Sequence, residues 1–366
     1  MTELFGVIAV GAITFLLSLL LPFAVKPLLT KLGIMDVPNE RSSHERPVLR
    51  GLGLAVLIAM AVGGILSVFL PLLFGHPAVS TNTITVVAGS IAAGLLGLSE
   101  DLRGLSVKVR SLCLLLIASG VAVSLLWQPQ LFGGSSGLVS PVVLQWVNGW
   151  VFIQPPVWAL LLLAVYAVLF ISSYINVANF MDGLNGISGF HGVIAGLAFA
   201  VAGFVTGHGW LLLVGLVLAG GFAGFLPWNL TKPGAFLGDV GSYLLGGAVA
   251  VTSFAALVAG VPFLATIGPM VIYFGDVGVT LVKRVRAGKR WDEPHKEHAY
   301  QRIQQRGYTH VQASAITAGC TAIASLLGIA SLFTGLWGTL ALLVAGLAVV
   351  VFYSFLPNLL PARPNA

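Results

Sequence analysis

The sequence predicts an all-α polytopic membrane protein with about eleven transmembrane helices. Three observations carry that expectation. Of 366 residues, 57% are apolar and only 8% are Asp, Glu, Lys or Arg, against roughly 25% charged residues in soluble domains. The mean hydropathy is +0.99. The apolar residues also fall into runs close to the roughly 20 residues that a helix needs to cross a hydrocarbon core of about 30 Å. These features exclude a water-soluble globular enzyme, a disordered tail and a nucleic-acid-binding module. The net charge of +6 therefore takes its meaning from where the charges sit.

The runs, in order, are 4–25, 51–74, 83–99, 110–127, 156–175, 187–206, 210–227, 242–260, 262–282, 313–333 and 337–356. The first follows Met1-Thr2-Glu3 with no Lys or Arg before it, so it reads as a span rather than a cleavable signal peptide. The second opens behind a basic segment, and the third ends on Gly97-Leu98-Ser99 before Glu100-Asp101. Lys108 and Arg110 open the fourth, where snorkelling at a helix end is the plain alternative to a role. The fifth and sixth bracket an Asn- and Gly-rich segment, 176–186; the seventh and eighth bracket 228–241. The ninth carries Asp276, seven residues before Lys283. The last two follow a long polar connection, 283–312. The 45 glycines suit close packing between membrane helices. Cys113 and Cys320 both lie inside apolar runs and do not read as a disulfide framework.

With Glu3 outside, the connections 26–50, 100–110, 176–186, 228–241 and 283–312 share one side. Together with the C-terminal tail they hold all 18 Lys and Arg. The opposite connections, including 128–155, hold none. The positive-inside rule assigns the charged side to the cytoplasm, with the N-terminus outside and the C-terminus cytoplasmic. All the acids but Glu3 fall on that side or just inside it. The chemistry is expected there, in a single domain spanning 1–366.

Acids occur where a membrane protein rarely places them without use. Glu100-Asp101 end a span; Asp182 sits in Asn176-Val-Ala-Asn179-Phe-Met-Asp182-Gly-Leu-Asn185-Gly186; Asp239 sits in Phe236-Leu-Gly-Asp239-Val-Gly-Ser242. A helix cap at Glu100-Asp101, a glycine turn at Asp182 or Asp239, and a buried arginine partner for Asp276 are the bland readings. Together, hard oxygen ligands at one membrane face suit Mg²⁺, which keeps waters and shares its shell with substrate phosphates. Glycines allow close backbone approach and expose amides. The 283–312 segment adds Lys283, Arg284, Arg286, Lys289, Arg290, His295 and His298. Its bases could anchor anionic lipid heads. The histidine pair could be half a zinc site, but no further Cys or His completes one. An anionic, phosphorylated substrate is the better reading. His76, His191, His208 and His310 receive no role.

The motifs Asn176-x-x-Asn179-x-x-Asp182-Gly-x-Asn185-Gly and Phe-x-Gly-Asp239-Val-Gly-Ser, with the His-x-x-His segment, resemble the polyprenyl-phosphate N-acetylhexosamine-1-phosphate transferase superfamily. Phospho-N-acetylmuramoyl-pentapeptide transferase and the GlcNAc-1-phosphate transferases belong to it. The likeness runs from about Pro38 to Gln301 and includes Asn39-Glu-Arg-Ser-Ser-His44-x-x-Pro47-x-x-Arg50-Gly-x-Gly53. Asp276 with Arg284 resembles the bacterial GlcNAc-1-phosphate branch. His295-Lys-Glu-His298-Ala-Tyr-Gln301 looks more like the branch that starts O-antigen with N-acetylfucosamine- or N-acetylquinovosamine-type sugars. Two departures stand out. Glu100 replaces the usual first aspartate of a pair, and Asn185 stands where the family often has aspartate.

The resemblance implies a bacterial inner-membrane enzyme. It would transfer N-acetylhexosamine 1-phosphate, with a 6-deoxy sugar favoured, from a UDP-sugar to undecaprenyl phosphate. UMP would be released and a lipopolysaccharide O-antigen or another surface polysaccharide started. It implies Mg²⁺, with Mn²⁺ able to substitute, held by Asp239, Asp182 and Asp101. Glu100, Asp101, Asp182 and Asp239 would be catalytic. Lys108, Asn176, Asn179, Asn185, Asp276, Arg284, His295, His298, Arg50 and His44 would bind substrate. Partners would be undecaprenyl phosphate, UDP-N-acetylhexosamine and membrane lipids, with room for a homodimer and none for nucleic acid. The rivals are a nucleotide-sugar or lipid-linked-sugar transporter, a CDP-alcohol phosphotransferase, an inactive family member, and the peptidoglycan phospho-MurNAc-pentapeptide transferase itself. A transporter places polar groups at the midplane, whereas here they collect at one face.

Overall fold

The structure is a computed structural model that describes residues 2–31, 35–36, 48–73, 80–126, 157–231, 234–290 and 295–363. Eleven helical spans among them are long and apolar enough to cross a membrane. Helices α1 (Thr2–Leu20) and α2 (Pro22–Lys31) form the first, followed by α3 (Gly53–Leu73), α4 (Thr81–Arg103), α5 (Val107–Leu126) and α6 (Val157–Met181). Then come α7 (Ile187–Thr206), α8 (Gly209–Asn229) and α9 (Gly238–Val258). A short α10 (Phe263–Ile267) and a 3-10 turn lead into α11 (Val271–Arg286) as one span. The amphipathic α12 (Ala299–Gln305), α13 (His310–Ala330) and α14 (Leu336–Leu359) complete the chain. Among the described residues, Met35–Asp36 and Val48–Leu49 pair as a two-residue antiparallel ladder.

The helices outrun the apolar runs. The first continues past 25 to Lys31, so Lys26 and Lys31 ride on helix. α4 continues to Arg103 and carries Glu100 and Asp101 in its last turn. α6 reaches Met181, placing Asn176 and Asn179 on helix, and Asp239 lies in the first turn of α9. The expected site loops are therefore mostly helix ends. An apolar run reports the part of a helix immersed in hydrocarbon, while the helix itself continues until something caps it. Gly104, at φ 61°, closes α4, its N–H donating back to the Glu100 carbonyl.

α9 is the axis of the molecule: 94% of its apolar stretch is buried inside the protein. It packs chiefly on α4, α6 and α3. A Cβ on Gly247 would meet the Ala93 Cβ at 2.6 Å, and one on Gly246 would meet the Ile175 Cα at 2.6 Å. α7 and α8 touch through Gly196 and Gly215, where a Cβ on either would sit 2.6–2.7 Å from the other's carbonyl oxygen. Without a hydrophobic drive between helices in lipid, such close backbone contact supplies the packing attraction.

Candidate active site

The site is assembled where one end of α9 meets the segment leading into α3. Phe236 N–H donates to Leu49 O (2.9 Å), Leu52 N–H to Phe236 O (3.1 Å) and Gly53 N–H to Leu237 O (2.9 Å). Two glycines at positive φ, Gly51 (87°) and Gly238 (75°), allow this apposition. A Cβ on Gly238 would lie 2.8 Å from Gly51 Cα and 2.7 Å from Asp101 Oδ2. Arg50 is thereby set against the start of α9.

Its guanidinium joins two aspartates. Nε lies 2.9 Å from Asp101 Oδ1, and Nη2 donates to Asp239 Oδ2 at 2.7 Å. Asp101, with its side chain only 1% exposed, also accepts from the backbone N–H of Asp239 (3.1 Å) and of Val240 (2.8 Å). The residue before α9, Leu237, offers no capping oxygen, so Asp101 of α4 caps α9 from another helix. Asp239 is 19% exposed and also accepts from Asn179 Nδ2 (2.8 Å), which reaches Ser242 Oγ at 3.0 Å. Asp182, just beyond α6, accepts from Ser188 Oγ at 2.6 Å. Burial pushes its carboxyl up to about 7, with the charge of Asp239 adding to the shift.

Beside this group, Glu100 Oε2 accepts from Leu105 N–H (3.0 Å), and Oε1 lies 3.6 Å from Arg110 Nη1. Lys108 is exposed in the first turn of α5. Asn176 donates to Ser172 O of its own helix at 2.9 Å. Tyr300 of α12 ties the histidine segment to the Asp182 turn: its hydroxyl donates to Phe180 O (3.0 Å), and Gly183 leaves room for its ring. Burial raises the Tyr300 hydroxyl well above its ordinary value, with the charges of Asp276 and Asp182 adding. The His295 and His298 rings lie 4.9 Å apart. Burial, then the charges of His298 and Arg284, lower His295 to about 4.

Several residues expected to bind substrate are instead engaged inside the protein. Arg284 is buried, with Nη1 on Glu297 Oε1 (2.8 Å) and Nη2 on Arg290 O (2.7 Å), so it ties the 283–312 segment together. Asp276 is buried, but its partners are not arginine: they are His298, the Ala299 N–H, Thr280 and Tyr353. Asn185 donates to Asn229 O (2.7 Å), its carbonyl accepts from Ser314 Oγ (2.9 Å), and Oδ1 lies 3.3 Å from His310 Nδ1. It knots α7, α8 and α13 together. His191 is buried with Tyr174 (2.8 Å). His44 lies outside the described residues. Sequence reasoning gave no role to Ser188, Ser242, Tyr300 or Tyr353. The first three sit within or next to the quoted motifs, but nothing around Tyr353 marks it.

The family model described as glycosyl transferase family 4 matches residues 83–257. Decaprenyl-phosphate N-acetylglucosaminephosphotransferase of Mycolicibacterium smegmatis is 32% identical over 79% of this chain and 73% of its own. The chain belongs to glycosyl transferase family 4. A probable undecaprenyl-phosphate N-acetylglucosaminyl 1-phosphate transferase of Bacillus subtilis is 25% identical over 81% of this chain and 78% of its own. Phospho-N-acetylmuramoyl-pentapeptide-transferase of Desulforudis audaxviator is 30% identical over 68% and 75%. The superfamily resemblance drawn from the motifs is thereby borne out, as is a multi-pass membrane protein.

Glycosyl transferase family 4 membership makes the metal question specific. Among the described residues, no three His, Cys, Asp or Glu side chains converge as a ready-made metal site. Mg²⁺ does not need one, because one or two carboxylates with waters and substrate phosphates suffice. Asp239 fits: it is part-exposed and each of its oxygens has a second lone pair. Asp182 fits as a carboxylate held by one hydroxyl beside it. Asp101 does not fit, since both its oxygens already accept backbone N–H groups and it is buried.

Proposed function

We propose that the protein transfers N-acetylhexosamine 1-phosphate from a UDP-sugar to a polyprenyl phosphate at the cytoplasmic face of a bacterial inner membrane. One observation carries this reading. Arg50 and Asn179 hold Asp239 at the start of α9, and Asp182 lies within reach of the Asp239 and Arg50 charges, at the helix ends where the chain's bases collect, in a family whose relatives bear such names. An oxygen of the lipid phosphate attacks the sugar-bearing phosphorus of the donor. The bond from that phosphorus to the bridging oxygen breaks, and UMP leaves with that oxygen.

Two anions must meet, so the work is positioning and charge neutralisation. Arg50 offers planar, permanently charged donors to a phosphate that displaces its contact with Asp239. Asp239 and Asp182 would hold Mg²⁺, or Mn²⁺ in its place, and the ion would neutralise the diphosphate and the charge developing on UMP. Asn179 keeps Asp239 aimed through its hydrogen bond. Asp101 holds the Asp239 backbone in place, and Glu100 shapes the turn into α5, beside which exposed Lys108 can meet phosphate.

The sugar divides into two readings. The names of the relatives favour N-acetylglucosamine. The His295–Gln301 string favours a 6-deoxy N-acetylhexosamine, as in O-antigen initiation. UMP release by purified protein, with undecaprenyl phosphate and a panel of UDP-sugars, tests both. We expect Mg²⁺-dependent release with at least one UDP-N-acetylhexosamine. Full activity in EDTA overturns the metal reading, and release of no UMP with any donor overturns the transferase reading. Equal turnover of UDP-GlcNAc and the 6-deoxy donors removes the 6-deoxy preference alone.

A further inference from the structure

Beyond the helices of the α9 site, α14 reaches back into the 283–312 segment. Its Tyr353 is fully buried and donates from its hydroxyl to Asp276 Oδ2 at 2.9 Å. The other oxygen, Oδ1, lies 3.1 Å from His298 Nδ1 and accepts from Thr280 Oγ1 (3.2 Å) and Ala299 N–H (3.0 Å). His298 and Asp276 are themselves buried. The His298 ring stacks on Tyr300 at 5.7 Å, and Tyr300 is bonded to Phe180 O, two residues before Asp182.

We propose that Tyr353 is a positioning residue: by fixing the plane of the Asp276 carboxylate, it fixes the orientation and tautomer of His298. The chemistry follows from the donor inventory. An ionised carboxylate only accepts, so the proton in the Asp276–His298 contact belongs to Nδ1. That leaves Nε2 with its lone pair, able to accept from a sugar hydroxyl or an N-acetyl N–H. A carboxylate that orients a histidine through the ring nitrogen opposite the working one is a recurrent device. Ala299 N–H also reaches Oδ2 (3.1 Å), so without the Tyr353 hydroxyl the carboxylate stays anchored on that backbone donor and Thr280 but can tilt about its Cβ–Cγ bond, and the ring loses a fixed partner plane. The tie between α14 and this segment is reinforced elsewhere. Arg302 Nη2 donates to Asn358 Oδ1 (2.7 Å), Arg306 Nη1 to Leu360 O (3.1 Å) and Arg363 N–H to Arg306 O (2.8 Å).

The inference rests on the transferase reading only for its kinetic arm. In the full-length protein, ¹⁵N NMR of labelled histidine should show His298 as the Nδ1–H tautomer, its signals identified by their loss in His298→Ala. In Tyr353→Phe we expect mixed tautomers, a melting temperature in detergent close to that of the unmodified protein, and about tenfold lower turnover, the scale of one hydrogen bond to a charged group. We also expect Tyr353→Phe to have no further effect in a His298→Ala background, because both act through one ring. An Nε2–H tautomer in the unmodified protein overturns the proposal, and that measurement stands even if Tyr353→Phe fails to fold. Additive kinetic losses in the double variant, or an unchanged His298 spectrum in Tyr353→Phe, overturn it as well. If no UDP-sugar is turned over, the function reading fails while the tautomer arm still decides the positioning claim.

Discussion

Arg50 stands between two aspartates whose surroundings give them different work. Asp101 is sealed against the backbone of α9, and Asp239 is open enough to meet a ligand. Asp101→Asn therefore sets an amide donor against backbone N–H groups or Arg50, and should cost about 1–3 kcal/mol, the range for a buried donor left unpaired. A clear fall in melting temperature in detergent is the expected result, accompanied by reduced turnover. Asp239→Asn also sets an amide against Arg50 or Asn179, but at a part-exposed site, so it should lower the melt less than Asp101→Asn while lowering turnover by about 10²–10³-fold or more, the scale of one lost transition-state contact. A folded, fully active Asp239→Asn would defeat its role. His295 supplies a pH test. Its folded value, about 4, lies below the ordinary 6.5, so between those values the unfolded chain binds more protons. Stability from this group is complete above pH 6.5 and is lost as the pH falls towards 4. His295→Gln should flatten that part of a melting-temperature profile. The motifs made Asp239, Asp182 and Asn179 legible as one site. They could not show that Asp101 faces a backbone 138 residues away. Spacing along a chain says nothing about which of two adjacent acids turns towards a neighbouring helix.

At the scale of helices, the contact between α4 and α9 sets the site's geometry. A Cβ on Gly97 would fall on the Asp239 carbonyl, a backbone group that cannot swing aside. Gly97→Ala should force the two helices apart, costing about 1–3 kcal/mol as overpacking does, and disturb Asp239 as well. Gly120→Ala, on a face of α5 with nothing within 4 Å, should cost nothing and serves as the matched control. Equal melts and equal turnover for the two variants would show that this contact does not hold the site. Hydropathy made all eleven spans legible, because burying a backbone in hydrocarbon demands helix and helix demands length. It misjudged their ends: the charged last turn of α4 does not register as apolar, and Asn176 and Asn179 interrupt the apolar residues that end α6. The roles expected for Asp276, Arg284 and Asn185 met the same limit. Polar residues near a membrane face read alike in sequence whether they meet a substrate or brace the scaffold, and only their partners tell them apart.

For the molecule as a whole, the decisive matter is which way it faces. All 18 Lys and Arg lie in one alternate set of connections or the C-terminal tail. The ends of α2, α4, α6, α8 and α11 and the starts of α3, α5, α7, α9 and α13 border those connections. Arg50, Asp101, Asp182, Asp239 and the histidine segment lie at the same ends. If positive charge resists translocation, this face is cytoplasmic, where a nucleotide-sugar donor is available, and the uncharged 128–155 connection lies outside. Labelling can test this after Cys113 and Cys320 are replaced, the first part-exposed and the second buried. In intact cells, a membrane-impermeant thiol reagent should modify a cysteine introduced at Ser135 and spare one at Lys289, which becomes reactive only after the membrane is opened. The reverse pattern would put the carboxylates on the outer face, away from any cytoplasmic donor. The proposed reaction would fall with the topology, because its chemistry requires both on one side.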